Sequence, residues 1–184
     1  MNQKTVHLPL DDATILSLHA GDIVLLTGTM LTGRDAAHQR LFDCLQNGVP
    51  LPIEIAGEVI YYVGPTPTKP GDAIGSAGPT SSYRMDAFTP TLLDNGLKGM
   101  IGKGDRSQEV VQAIIRNKAI YFAAIGGLGA TISKSILKAE LLCYEDLGTE
   151  AIQRFWVKDF PAIVVIDATG HNLYHQEQTK YKEI

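Results

Sequence analysis

Gly21-Asp-Ile-Val-Leu-Leu-Thr-Gly-Thr-Met30 is an apolar run bounded by glycine, and it leads through Leu31-Thr32-Gly33 into Arg34-Asp35. Such a run reads as a buried strand. The stretch from Arg34 to Asn47 places Leu41, Cys44 and Leu45 on one face and Gly48 just beyond its end, which predicts a helix closed by a glycine C-cap. A buried strand feeding directly into a helix is the unit of an α/β fold.

The same alternation continues outward. Glu58–Gly64 predicts a second strand, and Pro65-Thr-Pro-Thr-Lys-Pro70 a loop, because its prolines lack backbone donors. A short strand is expected over Ala73–Ala77, then the turn Gly78-Pro79-Thr80-Ser81, and a helix from Ser82 to Asn95-Gly96. Lys98–Ile101 and Ala119–Ile125 read as strands around a helix, Gln108–Lys118, capped by Ser107. Gly126-Gly127-Leu128-Gly129 opens a further helix of about ten residues. Beyond it, Leu141–Tyr144 is extended, Glu150–Phe155 helical, and Ile163–Asp167 a strand; a turn at Thr169-Gly170-His171-Asn172 precedes a last short strand. Strands and helices alternate without a strict βαβ order, so the expected fold is a mixed three-layer α/β domain spanning residues 1–184.

Composition narrows the function classes. Of 184 residues, 45% are hydrophobic and 20% charged, as in an ordinary globular chain. Lys+Arg 16 against Asp+Glu 20 gives a net charge of −4 with no basic block, which argues against nucleic-acid binding. No apolar run approaches the ~20 residues of a membrane span. The opening residues show no leader's apolar core, so a reduced cytoplasmic setting is expected. Cys44 and Cys143 are too few thiols to hold an iron–sulfur cluster or a structural zinc alone.

Two familiar patterns are incomplete. Gly127-Leu128-Gly129 resembles a dinucleotide fingerprint, but Ile132 stands where a third glycine would permit close helix packing, and a tight turn reads equally well. His171 and His175 have the spacing of helical zinc ligands but lack the accompanying glutamate, and a solvated hairpin is the simpler reading. Glu145-Asp146 and Lys180/Lys182 read as exposed surface.

Three other segments carry more chemistry. Arg34 stands in the first turn of a helix, where the macrodipole disfavours a cation; it either meets an anionic ligand or pairs with an acid such as Asp35. Gly78-Pro-Thr-Ser-Ser-Tyr-Arg-Met-Asp86 puts the hydroxyls of Thr80 and Ser81, either ligands or N-caps, beside Arg84, which again opposes a helix dipole. Lys103 lies between Gly102 and Gly104, free for close approach by a ligand or simply a loop lysine. Guanidinium matches carboxylate in a bidentate fork, so the set suits a small dicarboxylate, with phosphate a near alternative. No activated base or metal-ligand set accompanies these residues. They read as part of an anion site.

The stretches Leu26-Thr-Gly-Thr-Met-Leu-Thr-Gly-Arg-Asp-Ala-Ala-His-Gln-Arg40, Gly64-Pro-Thr-Pro67, Gly78–Asp86, Met100-Ile-Gly-Lys-Gly104, Glu145–Ile152 and Asp159-Phe-Pro161 resemble, in order, the β subunit or C-terminal domain of the class I iron–sulfur fumarate hydratase and tartrate dehydratase family. The resemblance covers nearly the whole chain. It implies a swivelling β/β/α domain and a hydro-lyase that adds water across a dicarboxylate double bond, most directly fumarate to (S)-malate. Tartrate and mesaconate are the alternative substrates, and a non-catalytic anion-binding or interaction module is the alternative from another class. It also implies a 4Fe–4S cluster bound by three cysteines of a partner α subunit, no metal on this chain, and a heterotetramer of two α and two β subunits. Carried over by position, Arg34, Arg84 and Lys103 would hold substrate carboxylates. Thr80 would take the carbon-bound proton beside Lys103, Ser81 would hydrogen-bond substrate, and His38 would orient Arg34 or cap the core.

Overall fold

A computed structural model of the chain describes residues 3–68, 70–124 and 129–175. Seven strands and five α-helices are present among them. The strands are β1 (Gln3–His7), β2 (Ile23–Thr32), β3 (Val59–Tyr61), β4 (Gly99–Gly102), β5 (Ile120–Ala123), β6 (Ile136–Cys143) and β7 (Ile152–Ile166). The helices are α1 (Asp12–Leu16), α2 (Asp35–Gln46), α3 (Thr89–Asp94), α4 (Gln108–Asn117) and α5 (Gly129–Ile132).

All strands join one mixed sheet in the order β1-β2-β3-β4-β5-β7-β6. The first five are parallel neighbours, with Val6 opposite Leu26, Leu31 opposite Ile60, Ile60 opposite Met100, and Met100 opposite Tyr121. β7 runs antiparallel to both β5 and β2, pairing Phe122 with Val164 and Val24 with Ala162, and this second pairing joins the ends of the β2–β5 run. β6 lies along the first half of β7.

Alternation within the short parallel strands separates two cores. Val59 and Tyr61 of β3, Ile101 of β4, and Ile120 and Phe122 of β5 join Leu26, Met30, Phe155 and Phe160 in one cluster. Ile60, Tyr62, Met100 and Tyr121 face the other way, against Leu41 of α2, Leu92 and Leu93 of α3, and Val110 and Ile114 of α4. Strands buried on both faces are why Glu58–Gly64 and Ala119–Ile125 read as continuous apolar runs. α4 shows the local grammar at both ends. Ser107 accepts the Val110 amide as an N-cap, and Lys118 closes the helix in the left-handed region at φ 48.

Several expectations need correction. β1 and α1 have no counterpart in the sequence reading. Ala73–Ala77 is a loop, tied to Thr66 through Ser76. The helix expected from Ser82 to Asn95 is broken into a 3-10 turn, Ser82–Met85, and the separate α3. Pro90 has no amide to continue a helix from the preceding turn but is well placed to start one. The ten-residue helix expected after the glycines ends at Ile132; a 3-10 turn follows, and β6 takes the remainder. Glu150–Phe155 is not helical, since β7 begins at Ile152 and pairs on both sides. The last expected strand is a single bridge, Ile166 to Asn172, and residues 173–175 after it are helical. Ile125, Gly126, Gly127, Leu128, Lys180 and Lys182 lie outside the described residues.

Candidate functional site

Parallel α/β sheets gather their ligands beyond the carboxyl ends of the strands. Here β2 ends into Gly33-Arg34, β3 into Tyr62-Val63-Gly64, and β4 into Lys103-Gly104. A loop threads between the last two ends. Pro79 bridges Val63, the Thr80 amide donates to the Tyr62 carbonyl at 2.7 Å, Ser81 bridges Lys103, and the Ser82 amide donates to the Lys103 carbonyl at 2.9 Å. Backbone pairing therefore sets Thr80 and Ser81 beside Lys103. The Lys103 side chain is exposed, and its ammonium makes no hydrogen bond among the described residues.

The 3-10 turn then carries Arg84 back toward the start of α2. Arg84 Nε donates to Asp35 Oδ1 at 2.8 Å, while Arg34 Nε stands 3.9 Å from Asp35 Oδ2. Arg34 also faces Glu150, with 3.6 Å between its terminal nitrogen and Oε1. Arg34 occupies the N-cap of α2 but supplies no side-chain cap. Glu150 acts in its place, its Oε2 accepting the Ala36 amide at 3.0 Å. An acid from a distant segment thus meets the positive end of the helix and offsets the unfavourable position of Arg34. The guanidinium lies over Gly64, where an added Cβ would come within 2.7 Å of a terminal nitrogen. Asp35, one of the two environments expected for Arg34, pairs more closely with Arg84.

Under Lys103 lies a buried hydroxyl network. The Lys103 amide donates to Ser82 Oγ at 3.1 Å, Ser82 donates to the Tyr121 hydroxyl at 2.8 Å, and Tyr121 donates to the Gly104 carbonyl at 2.7 Å. Burial pushes the Tyr121 phenol up, so it stays protonated as that donor requires. Gly102 makes the approach possible, since a Cβ there would lie 2.0 Å from Ser82 Oγ. Beside this network Arg106 is fully buried. Its Nε donates to Asp86 at 2.7 Å and a terminal nitrogen donates to Thr89 Oγ1 at 2.8 Å, with its carbon 5.4 Å and 5.0 Å from the Tyr62 and Tyr121 ring centres. Asp86 also accepts the Ser107 amide, joining the site turn to the start of α4. The sequence reading missed Ser82, Tyr121 and Arg106. Only the glycine at 102, required for a close approach, hinted at them.

His38 is fully buried, its Nδ1–H donating to the Arg34 carbonyl at 2.9 Å and its ring set edgewise to Tyr62. Burial lowers its pKa to about 4, so it is neutral at pH 7. It holds the main chain of Arg34, not the guanidinium.

Cavities of about 500 Å³ and 170 Å³ lie around the 65–76 loop, and no candidate residue lines either. The cationic set occupies an open face. Among the described residues, no three of His, Cys, Asp and Glu gather to hold a metal ion. Both cysteines are unbridged, and His171 and His175 are exposed beside Asp167 and Asp105. No described helix is long and apolar enough to cross a membrane.

The family described as Fumarase C-terminus matches residues 1–177. The aerobic class I fumarate hydratase of Escherichia coli K12 is 40% identical over 155 residues, which cover 83% of this chain and 28% of that protein. Fumarate hydratase 2 of Leishmania major is 38% identical over 156 residues, covering 84% and 28%. The L(+)-tartrate dehydratase subunit beta of Escherichia coli K12 is 30% identical over 186 residues, covering 98% of this chain and 91% of that subunit. The chain thus spans little more than a quarter of the length of the fumarate hydratases it matches.

Proposed function

Because the chain belongs to the Fumarase C-terminus family, we propose that it is the carboxylate-holding half of an iron–sulfur hydro-lyase, with fumarate and (S)-malate as its substrate pair. The observation that carries this reading is the meeting of Arg34 and Arg84 at Asp35, beyond the same carboxyl strand ends that set Thr80, Ser81 and Lys103. Two guanidiniums and an ammonium supply cationic donors for a dicarboxylate, and the forked guanidiniums match its planar ends. The higher identity to the fumarate hydratases supports fumarate over tartrate.

In this reading Arg34, Arg84 and Lys103 bind the carboxylates and the Ser81 hydroxyl orients the substrate. In the dehydration direction Thr80, acting as its alkoxide, takes the proton leaving the carbon next to a carboxylate and becomes the hydroxyl; in hydration that hydroxyl returns the proton. A neutral threonine hydroxyl is too weak a base for this, and the ammonium of Lys103 beside it stabilises the alkoxide. His38 holds the Arg34 backbone in place.

The residues of this chain do not fit a cluster, as no metal-ligating trio exists among those described. The reading therefore places the 4Fe–4S group on an α partner, a partner that the name of the tartrate dehydratase subunit beta supports. It completes the picture with a single β/β/α swivelling domain, two cores on either face of the parallel strands being the feature in favour. The proposal includes a two-fold pairing of α–β units, the commonest symmetry of such assemblies, working in the cytoplasm. The test is anaerobic assembly of the chain with a cluster-bearing partner, followed by an assay of malate formed from fumarate. Malate production supports the reading. A cluster-loaded complex that acts on none of fumarate, tartrate and mesaconate overturns it.

A further inference from the structure

Asp35 sits between two cations that would otherwise repel each other. Its Oδ1 accepts from Arg84, and its Oδ2 lies 3.9 Å from Arg34 Nε, about an ångström beyond hydrogen-bond length. Both that oxygen and that nitrogen are buried without a hydrogen-bond partner. Asp35 engages the Nε edge of Arg84, and the terminal nitrogens of Arg84 make no hydrogen bond among the described residues. Glu150 holds Arg34 from the far side, and Gly64 leaves the space its guanidinium fills.

We propose that Asp35 is the positioning residue of the site: it brings Arg34 and Arg84 to one carboxylate by their Nε edges, leaving for the substrate the terminal N–H groups of Arg84 and those of Arg34 that do not face Glu150. The proposal rests on the hydro-lyase reading for its substrate, but not for its geometry. A carboxylate that drew both terminal edges outward would also draw Arg34 Nε onto the unpaired Asp35 oxygen, completing the missing hydrogen bond when ligand is bound. An acid at the start of α2 would favour the helix dipole in any case. That structural role alone predicts a less stable protein with unaltered substrate affinity.

The experiment compares wild type and Asp35→Asn, which keeps the size and one acceptor and loses the charge. In the complex with the cluster-bearing partner, KM for fumarate rises about tenfold or more while kcat stays within roughly threefold. In the chain itself, succinate, a dicarboxylate that cannot react, binds about fivefold or more weakly, read from the arginine Nε–H resonances. If Asp35→Asn melts early, Asp35→Ser, an ordinary helix-start residue, takes its place. A wild-type complex that hydrates nothing, while succinate still binds and the substitution weakens it, leaves the positioning role standing and overturns the hydro-lyase reading. The positioning role is overturned if KM and succinate affinity stay within about twofold of wild type, if kcat alone falls, or if neither chain nor complex binds succinate.

Discussion

The Ser82 and Tyr121 hydroxyls meet at 2.8 Å beneath Lys103, and Tyr121 passes the chain on to the Gly104 carbonyl at 2.7 Å. A 3-10 turn and a parallel strand are thereby locked to the two residues that carry the loop lysine. Both hydroxyls are buried, so neither can exchange its partner for water at low cost.

Tyr121→Phe removes the middle hydroxyl and leaves Ser82 Oγ and the Gly104 carbonyl short of a partner. The expected loss of stability is about 1–3 kcal/mol, the range for an unsatisfied buried polar group. Urea denaturation of the variant checks it, and an unchanged midpoint would remove the network from the account of stability.

Gly102→Ala places a methyl 2.0 Å from Ser82 Oγ and 2.9 Å from the Tyr62 ring. Both neighbours are fully buried, so neither can move aside freely. A destabilisation of roughly 2 kcal/mol or more is expected, with a larger loss of fumarate hydration than of fold. Gly104→Ala provides a contrast: at φ 83 it strains the backbone but meets no neighbour.

Arg84→Ala removes a guanidinium from the proposed carboxylate site and strands Asp35 beside Arg34. A fall of about a hundredfold or more in kcat/KM is expected for the assembled enzyme. Arg40→Ala is the control. Arg40, on the outer part of α2, pairs with the exposed Asp146, and loss of such a surface pair should leave stability and kcat/KM close to wild type.

The buried His38 makes stability depend on pH. Its folded pKa is depressed to about 4 by burial, against about 6.5 in an unfolded chain. The unfolded state therefore binds more protons between these values. The contribution is full above about pH 6.5 and is lost as pH falls toward 4, by about 3 kcal/mol in total. Denaturation measured at intervals between pH 7.5 and 4.5 should show the decline. In His38→Gln the part of the slope due to this residue should vanish; an equal slope in both proteins would sink the assignment.

Local patterns carried much of this in the sequence itself. The run 21–30, the helix after Arg34, the Ser107 cap of α4 and the apolar runs at 58–64 and 119–125 each show a period, a cap or a double-faced burial that the chain writes in adjacent residues. The residue types of Arg34, Thr80, Ser81, Arg84 and Lys103 likewise point to the anion site proposed above. β7 was misread because its first half has no pattern of its own: Ile152–Phe155 is extended by pairing with β6 on one side and β2 on the other, and the β2 partners are supplied from more than a hundred residues away. Strand pairing likewise overrides the helix expected over the first part of β6, where Lys138 and Ala139 take extended form against Trp156 and Phe155.

What the sequence determined, then, is the set of short-range elements and the charge of the site, because caps, turns and hydrophobic periods act between near neighbours. What only the tertiary structure decided is which acid stands against which arginine. Asp35 follows Arg34 in the chain yet gives its hydrogen bond acceptor to Arg84, and Glu150 crosses from a distant segment to cap α2. Ion pairing depends on separation in space and on desolvation, and both exist only after the sheet has brought the strand ends together.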